Sequence, residues 1–452
     1  MSGLIEQARE IEKSLELDKL ARAGFKRGIR SKAQSHHTVT YPEYYKAQSV
    51  TSDDIFGKSS DRKDLALYLH IPFCTGKCVY CHYVSSPASA ERVRSYLSAL
   101  ENEIDLVSHL PEVQNSIVTS AYLGGGTPTF LSPVQLERLF KYITRRFNLI
   151  RSAEFTVEAS PETILGRRGE EKLDVIAEYA NRLNLGVQTS DDSILVAMKR
   201  RHTSHQARNA ILGLYEKRFR NINVDLIAGL PDQTLKVWED DLIDVEMMRV
   251  PSITTYPLKI KPEAAIWKMF EKYSERFPDE REVLLMHIMA IEGLGRFERF
   301  KYTENPVWWF TSSPEFVYKQ QIHKWRDNGE MVGLGVSAYS YVNDWQYYNT
   351  SSLEAYLTSL KEGKFPIIKG AKLTLEEQAR RGMIFGLKCI EVDKQRFKER
   401  YGFFPEEKFG ENLERLEKLG LVRISAKKME LTYTGRLFSE EVARSFIENA
   451  RK

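Results

Sequence analysis

The chain has 452 residues, with 66 basic against 62 acidic side chains and a net charge of +4. That balance argues against a polyanion-binding surface, no apolar run is long enough to span a membrane, and the charged N-terminus lacks a secretion-signal core. Four cysteines, three of them between Cys74 and Cys81, argue against a disulfide framework and predict a reducing, cytoplasmic setting.

Residues 1–62 open with an amphipathic helical pattern over Ile5–Ala23 and continue irregularly through Thr40-Tyr41-Pro42, which predicts an N-terminal arm. From 63 to 300 the chain reads as α/β. Apolar or β-branched runs at Leu65–Phe73, Ser120–Leu123, Glu154–Glu158, Arg182–Gln188, Asn221–Ile227 and Ile253–Ile260 predict six strands. Helical patterns near 89–109, 132–148, 170–180, 191–199, 204–218 and 234–248 separate them, and another lies near 278–299. Six such repeats predict an open, partial (β/α)6 barrel with its chemistry at the C-terminal ends of the strands. Residues 301–371, with Trp308, Trp309, Trp325 and GEMVGLGVSAYSYV at 329–342, are expected to complete the barrel and contribute to the substrate site. The final region, 372–452, reads as a helical, winged-helix-like domain with no basic recognition face, better suited to covering the barrel mouth than to binding nucleic acid.

The stretch CTGKCVYCH, Cys74 to His82, follows the first strand. Four uses of its thiols are open. Cys78 to His82 matches the c-type haem signature, which requires export to an oxidising compartment. Structural zinc would need a fourth ligand such as His70 or His82. The thiols could be inert. An iron–sulfur cluster normally takes four thiolates, and the fourth cysteine, Cys389, lies far downstream in a helical pattern that reads as buried core. A cluster held by three thiolates keeps one iron open, which is the mark of a reactive site. After the second strand, LGGGTPTFLSP at 123–133 offers three consecutive glycines, where a backbone can approach a ligand with exposed N–H groups.

The C-x-x-x-C-x-x-C spacing after a first barrel strand resembles the radical S-adenosylmethionine (SAM) superfamily. YLHIPFC, GGGTPT, TVEASPET, LNLGVQTSDD, KRRHT, NVDLIAGLPDQT and GLGVSAYS, in that order from 68 to 340, resemble the oxygen-independent coproporphyrinogen III oxidase family and its relatives. The resemblance implies a 4Fe–4S cluster held by Cys74, Cys78 and Cys81, its open iron chelating SAM, and reductive cleavage of SAM to a 5′-deoxyadenosyl radical. It further implies that Tyr68, Gly125, Glu158 and Tyr339 contact the cluster-bound SAM. Tyr80, Gly126, Thr127, Gln188, Arg200 and Asp225 would hold a second SAM. A small-molecule substrate and a reduced flavodoxin- or ferredoxin-type electron donor are the implied partners.

Two departures bear on the reaction. The oxidases usually carry another cysteine at the position of Tyr83, and the segment 256–330, with YPLKIKP and KYTENPVWWF, matches them poorly. Methyl or methylene transfer to a planar tetrapyrrole, quinone or aromatic substrate is therefore the first expectation. Oxidative decarboxylation of a porphyrinogen is the alternative, followed by a haem chaperone with little catalysis. Tyr256, Trp308, Trp309, Trp325 and Tyr339 are candidates for an aromatic wall, and His202 reads as a solvated helix end.

Overall fold

The computed structural model describes residues 3–26, 39–57, 63–86, 88–297 and 301–448. Six parallel strands form in the expected places: β1 (Asp64–Ile71), β2 (Ile117–Gly125), β3 (Leu149–Ala159), β4 (Arg182–Gln188), β5 (Asn221–Ala228) and β6 (Ser252–Pro257). They pair in chain order, and β1 and β6 do not pair with each other, so the barrel is open. Short strands extend both edges: β7 (Thr303–Glu304) and β8 (Trp309–Thr311) beyond β6, and β9 (Glu330–Leu334), β10 (Tyr339–Val342), β11 (Trp345–Asn349) and β12 (Ile367–Lys372) beyond β1. β9 runs parallel to β1, whereas the remaining edge strands pair antiparallel.

Side-chain alternation explains the two faces. Leu67 and Leu69, Leu183 and Leu185, and Ile222 and Val224 are fully buried on the outer face, the face covered by helices in such a barrel. Their alternates Tyr68, Asn184 and Asp225, with Tyr122, Glu158 and Thr254 of the other parallel strands, line one cavity. Residues from both ends of the parallel run meet there, so the sheet curves around it. A parallel sheet covered on both faces is apolar throughout, and the polar alternates identify an inner face built for a ligand.

The N-terminal pattern over Ile5–Ala23 forms two helices, Leu4–Ser14 and Leu17–Arg22, separated at extended Leu15. The first packs on the helix Glu280–Arg296 through a bidentate Arg281–Glu12 pair at 2.8 and 2.9 Å. Parts of the expected arm, 27–38 and 58–62, lie outside the described residues. The C-terminal module places β13 (Glu391–Asp393), β14 (Val422–Ile424) and β15 (Lys428–Leu431) in a small antiparallel sheet of order β13-β15-β14 among helices, the winged-helix arrangement. Cys389 is buried, as expected. No described helix is long and apolar enough to cross a membrane.

Candidate functional site

The cysteine loop is fixed at several points. Where it leaves β1, Phe73 is buried edge-on against Tyr96, and Ser86 N–H donates to Pro72 O at 2.8 Å, closing the two ends. In its middle, Val79 N–H donates to Met198 O and Val79 O accepts from Ile266 N–H. Val79 itself packs into a small apolar cluster with Ile194, Met198, Ile227, Leu230, Leu258 and Ile260. Cys74, Cys78 and Cys81 are left facing the cavity.

Burial pushes the Cys74 thiol up to about 11, against the Thr127 hydroxyl 3.6 Å away, and raises Cys81 as well. Thiols in this setting become thiolates when a metal supplies positive charge. The Arg200 guanidinium, 3.5 Å from Cys78 Sγ, adds a fixed cation. Among the described residues no three His, Cys, Asp or Glu side chains converge to hold a single ion. A cube takes its thiolates at separate corners, so the donor set fits a cluster rather than closed zinc. His70 is committed elsewhere, its Nδ1 to Tyr68 OH at 3.0 Å and its Nε2 to Val84 O at 3.2 Å. His82 stacks on Tyr83.

The cavity measures about 520 Å³. All thirteen predicted site residues line it: the three cysteines with Tyr68, Tyr80, Gly125, Gly126, Thr127, Glu158, Gln188, Arg200, Asp225 and Tyr339. Tyr256, Trp308, Trp309 and Trp325 line it too. Glu158, half-buried in the cavity wall, receives Tyr122 OH at 2.5 Å and Gly125 N–H at 3.0 Å; desolvation there still pushes it up to about 7. Asp225, held by Asn223 Nδ2 at 2.8 Å, is pushed up to about 6 by the same cause. Arg200 donates to Ser160 Oγ at 2.9 Å and Gly186 O at 2.5 Å, while its buried Nε has no partner. That orphaned donor, beside the thiols, suits an anionic occupant.

Two expectations need correction. The glycine run does not present free N–H groups, because β2 continues through Gly125: Gly125 N–H goes to Glu158, and Gly126 and Thr127 N–H go to Ile71 O and Phe73 O, both at 2.8 Å. The glycines are needed for closeness. A Cβ on Gly126 would sit 2.7 Å from Phe73 O and 3.0 Å from Cys74 Sγ. Arg200 lies just beyond the helix Asp192–Ala197. His202 is buried rather than solvated. It bonds Val187 O at 3.2 Å and faces Glu162 at 3.7 Å, whose carboxyl, despite burial, is drawn down to about 2 by His202, Ser160 and Arg200. Glu162 in turn accepts from Thr75 in the cysteine loop.

Sequence reasoning passed over Tyr122, Asn184, Thr254, Lys259, Lys261 and Tyr318, all of which line the cavity. The strand residues were findable as polar alternates within apolar strands. Leu437, Ser439, Glu440, Glu441 and Arg444 also line it, from the far end of the chain.

Residues 68–244 match the radical SAM superfamily and residues 373–438 match the HemN C-terminal domain. The fold is that of a radical SAM protein. The chain is 31% identical to the oxygen-independent coproporphyrinogen III oxidase of Pseudomonas aeruginosa over 407 residues, 84% of this chain and 85% of that one. It is 29% identical to the haem chaperone HemW of Bacillus subtilis over 388 residues, 84% of this chain and 98% of that one. The crystallised coproporphyrinogen III oxidase HemN of Escherichia coli superposes with a TM-score of 0.78 at 24% identity, covering 91% of this chain and 96% of the other. The chain belongs to the HemN/HemW-like family of radical SAM proteins, the family of the oxygen-independent coproporphyrinogen III oxidases. The first expectation, methyl transfer, finds no support in these relatives, which are oxidases or haem chaperones.

Proposed function

We propose that this protein is a radical SAM oxidoreductase that oxidises a carboxylate-bearing tetrapyrrole, in the manner of a coproporphyrinogen oxidase. The observation that carries the reading is one cavity lined by the three thiols and Glu158 together with the half-exposed aromatic side chains Tyr256, Trp309 and Tyr339. The relatedness to coproporphyrinogen oxidases supports it. When bound, the cluster supplies the electron that cleaves SAM to a hydrogen-abstracting 5′-deoxyadenosyl radical.

In this reading Cys74, Cys78 and Cys81 hold the cluster. Glu158, Tyr68, Gly125 and Tyr339 surround the SAM bound to it, and the Glu158 carboxylate, fixed by Tyr122 and Gly125, accepts from an ammonium group. Tyr80, Gln188, Arg200 and Asp225 shape the space for a second SAM. Gly126 and Thr127 border that space with their N–H groups already committed to the cysteine loop. A flavodoxin- or ferredoxin-type donor in the cytoplasm supplies the electron. The arm (1–62), barrel (63–300), substrate segment (301–371) and C-terminal domain (372–452) are the working divisions of this proposal.

Product analysis tests it. Anaerobically reconstituted protein given reductant, SAM and coproporphyrinogen III is expected to form 5′-deoxyadenosine and a decarboxylated product, both lost in Cys78→Ala. S-adenosylhomocysteine with a methylated product would overturn oxidation in favour of methyl transfer. Tight haem binding with neither product would indicate a chaperone.

A further inference from the structure

β6 ends at Pro257, and the chain continues as Leu258-Lys259-Ile260-Lys261. Leu258 and Ile260 are buried in the apolar cluster beneath the cysteine loop. Alternation therefore turns Lys259 and Lys261 the other way, and both line the cavity. The stretch is held in place, because Leu258 N–H donates to Ala228 O at 2.8 Å and Lys261 O accepts from Ala264 N–H at 3.0 Å. Neither lysine side chain makes a hydrogen bond or ion pair with a described residue. The nearby carboxylate, Glu440 of the C-terminal module, is bridged to Lys388 at 2.7 Å. Burial holds Lys259 well below the ordinary lysine range; Glu440 opposes this, while Lys388 and Lys261 add to it. Burial and the neighbouring cations favour the neutral amine of Lys259, and a carboxylate brought beside it would restore its proton and charge.

The aromatic surface adjoins this site. The Lys388 ammonium lies 4.8 Å from the Trp325 ring centre, and Trp325 meets Trp309 edge-on at 5.6 Å. A macrocycle placed against the half-exposed Trp309 would share the cavity with the lysine pair. We propose that Lys259 and Lys261 receive a carboxylate arm of the tetrapyrrole substrate and so fix which side of the macrocycle faces the cysteine loop. This rests on the tetrapyrrole reading above and adds the residues that select for the acid side chain.

The test is an anaerobic titration of the reconstituted holoenzyme, followed by its tryptophan fluorescence, with coproporphyrinogen III and with its tetramethyl ester, which keeps the ring and removes the charges. The acid should bind roughly tenfold or more tightly than the ester, as expected for charge-assisted hydrogen bonds. The double variant Lys259→Gln with Lys261→Gln should lose that preference and bind the ester as before, whereas Lys259→Arg with Lys261→Arg should keep it. Far-UV circular dichroism checks that each variant folds. Equal binding of acid and ester by the wild type, or an unchanged preference in the Gln variant, overturns the lysine assignment and leaves the tetrapyrrole reading standing. Loss of substrate-free 5′-deoxyadenosine formation with porphyrinogen binding intact assigns the lysines to SAM or the cluster, and also overturns it. Binding of neither compound removes the tetrapyrrole reading and the assignment with it.

Discussion

Trp308 adopts φ +73 in the turn between β7 and β8, a left-handed conformation that a bulky side chain avoids. Its surroundings hold it there: Glu304 accepts its N–H at 2.8 Å, His287 stacks on its ring at 3.5 Å, and its carbonyl accepts from Thr255 on β6. The strain keeps one wall of the cavity in a fixed place. Trp308→Ala should cost about 3 to 5 kcal/mol of stability, and Trp308→Gly about 1 kcal/mol less, because glycine relieves the backbone. Equal midpoints for the two variants in denaturant would show that no strain is stored. Glu103 gives a second test away from the cavity. It is buried among Tyr356 OH at 2.6 Å, Gly335 N–H at 2.6 Å and Asn349 Nδ2 at 2.7 Å, yet burial pushes it up to about 7. The folded protein then holds this proton more tightly than the unfolded chain, so stability falls as pH rises from the ordinary carboxylate range through 7, by about 3 kcal/mol for this group. Glu103→Gln removes that contribution, and its unfolding free energy should drop less between pH 5 and 8 than the wild type's. The three cysteines and Glu158 were legible as chemistry because their residue types are rare in such places. Trp308's conformation and Glu103's burial were not, because both are set by neighbours distant in sequence.

At the scale of elements, β2 and the loop after it do two jobs at once. The strand continues its pairing with β1 to Gly125, and the next two N–H groups reach across to Ile71 O and Phe73 O, so the glycine run clamps the start of the cysteine loop. Gly126→Ala would force a methyl group against two carbonyls and the Cys74 sulfur, at 2.7, 2.8 and 3.0 Å. We expect the variant to fold but to lose most of its iron and acid-labile sulfide after reconstitution, with SAM cleavage falling in proportion. Full cluster content with normal cleavage would mean that the loop tolerates displacement. The six parallel strands were readable because apolar alternates under the helices mark each one, and the sites at their C-terminal ends followed from that order. The edge strands β9 to β12 were not resolved from sequence. They are short, β9 joins β1 in parallel while the others add antiparallel, and their pairing depends on where the barrel leaves an edge open.

The whole molecule is joined by returns of the chain that no local pattern encodes. The C-terminal module reaches the cavity through Leu437 to Arg444 and is tied to the barrel side where Lys388 O accepts from Val307 N–H at 3.0 Å and Arg436 meets the buried Glu304 at 3.3 Å. The N-terminal helices complete the circuit. Glu12 and Gln7 bond the helix Glu280–Arg296, and Ala23 O accepts from Arg415 on the helix Pro405–Lys418 at 2.5 Å. Leu4, Leu20 and Phe25 are buried along the way, at 4%, 1% and 4% exposure. Apart from Val39 no described arm residue lines the cavity. Removing residues 1–25 should therefore leave the site intact and weaken the frame. Exposing the surface that those side chains cover costs up to about 5 kcal/mol, taking a compact unfolded chain into account. The arm touches both the barrel helix and the C-terminal module, so its loss should also uncouple them. The full chain is expected to unfold in one transition in denaturant, and the truncated chain at lower denaturant in two, with cluster content per folded molecule unchanged. A truncated protein that keeps the full-length midpoint would show that the arm rests on the frame without stabilising it, and a loss of cluster would place the arm within the site.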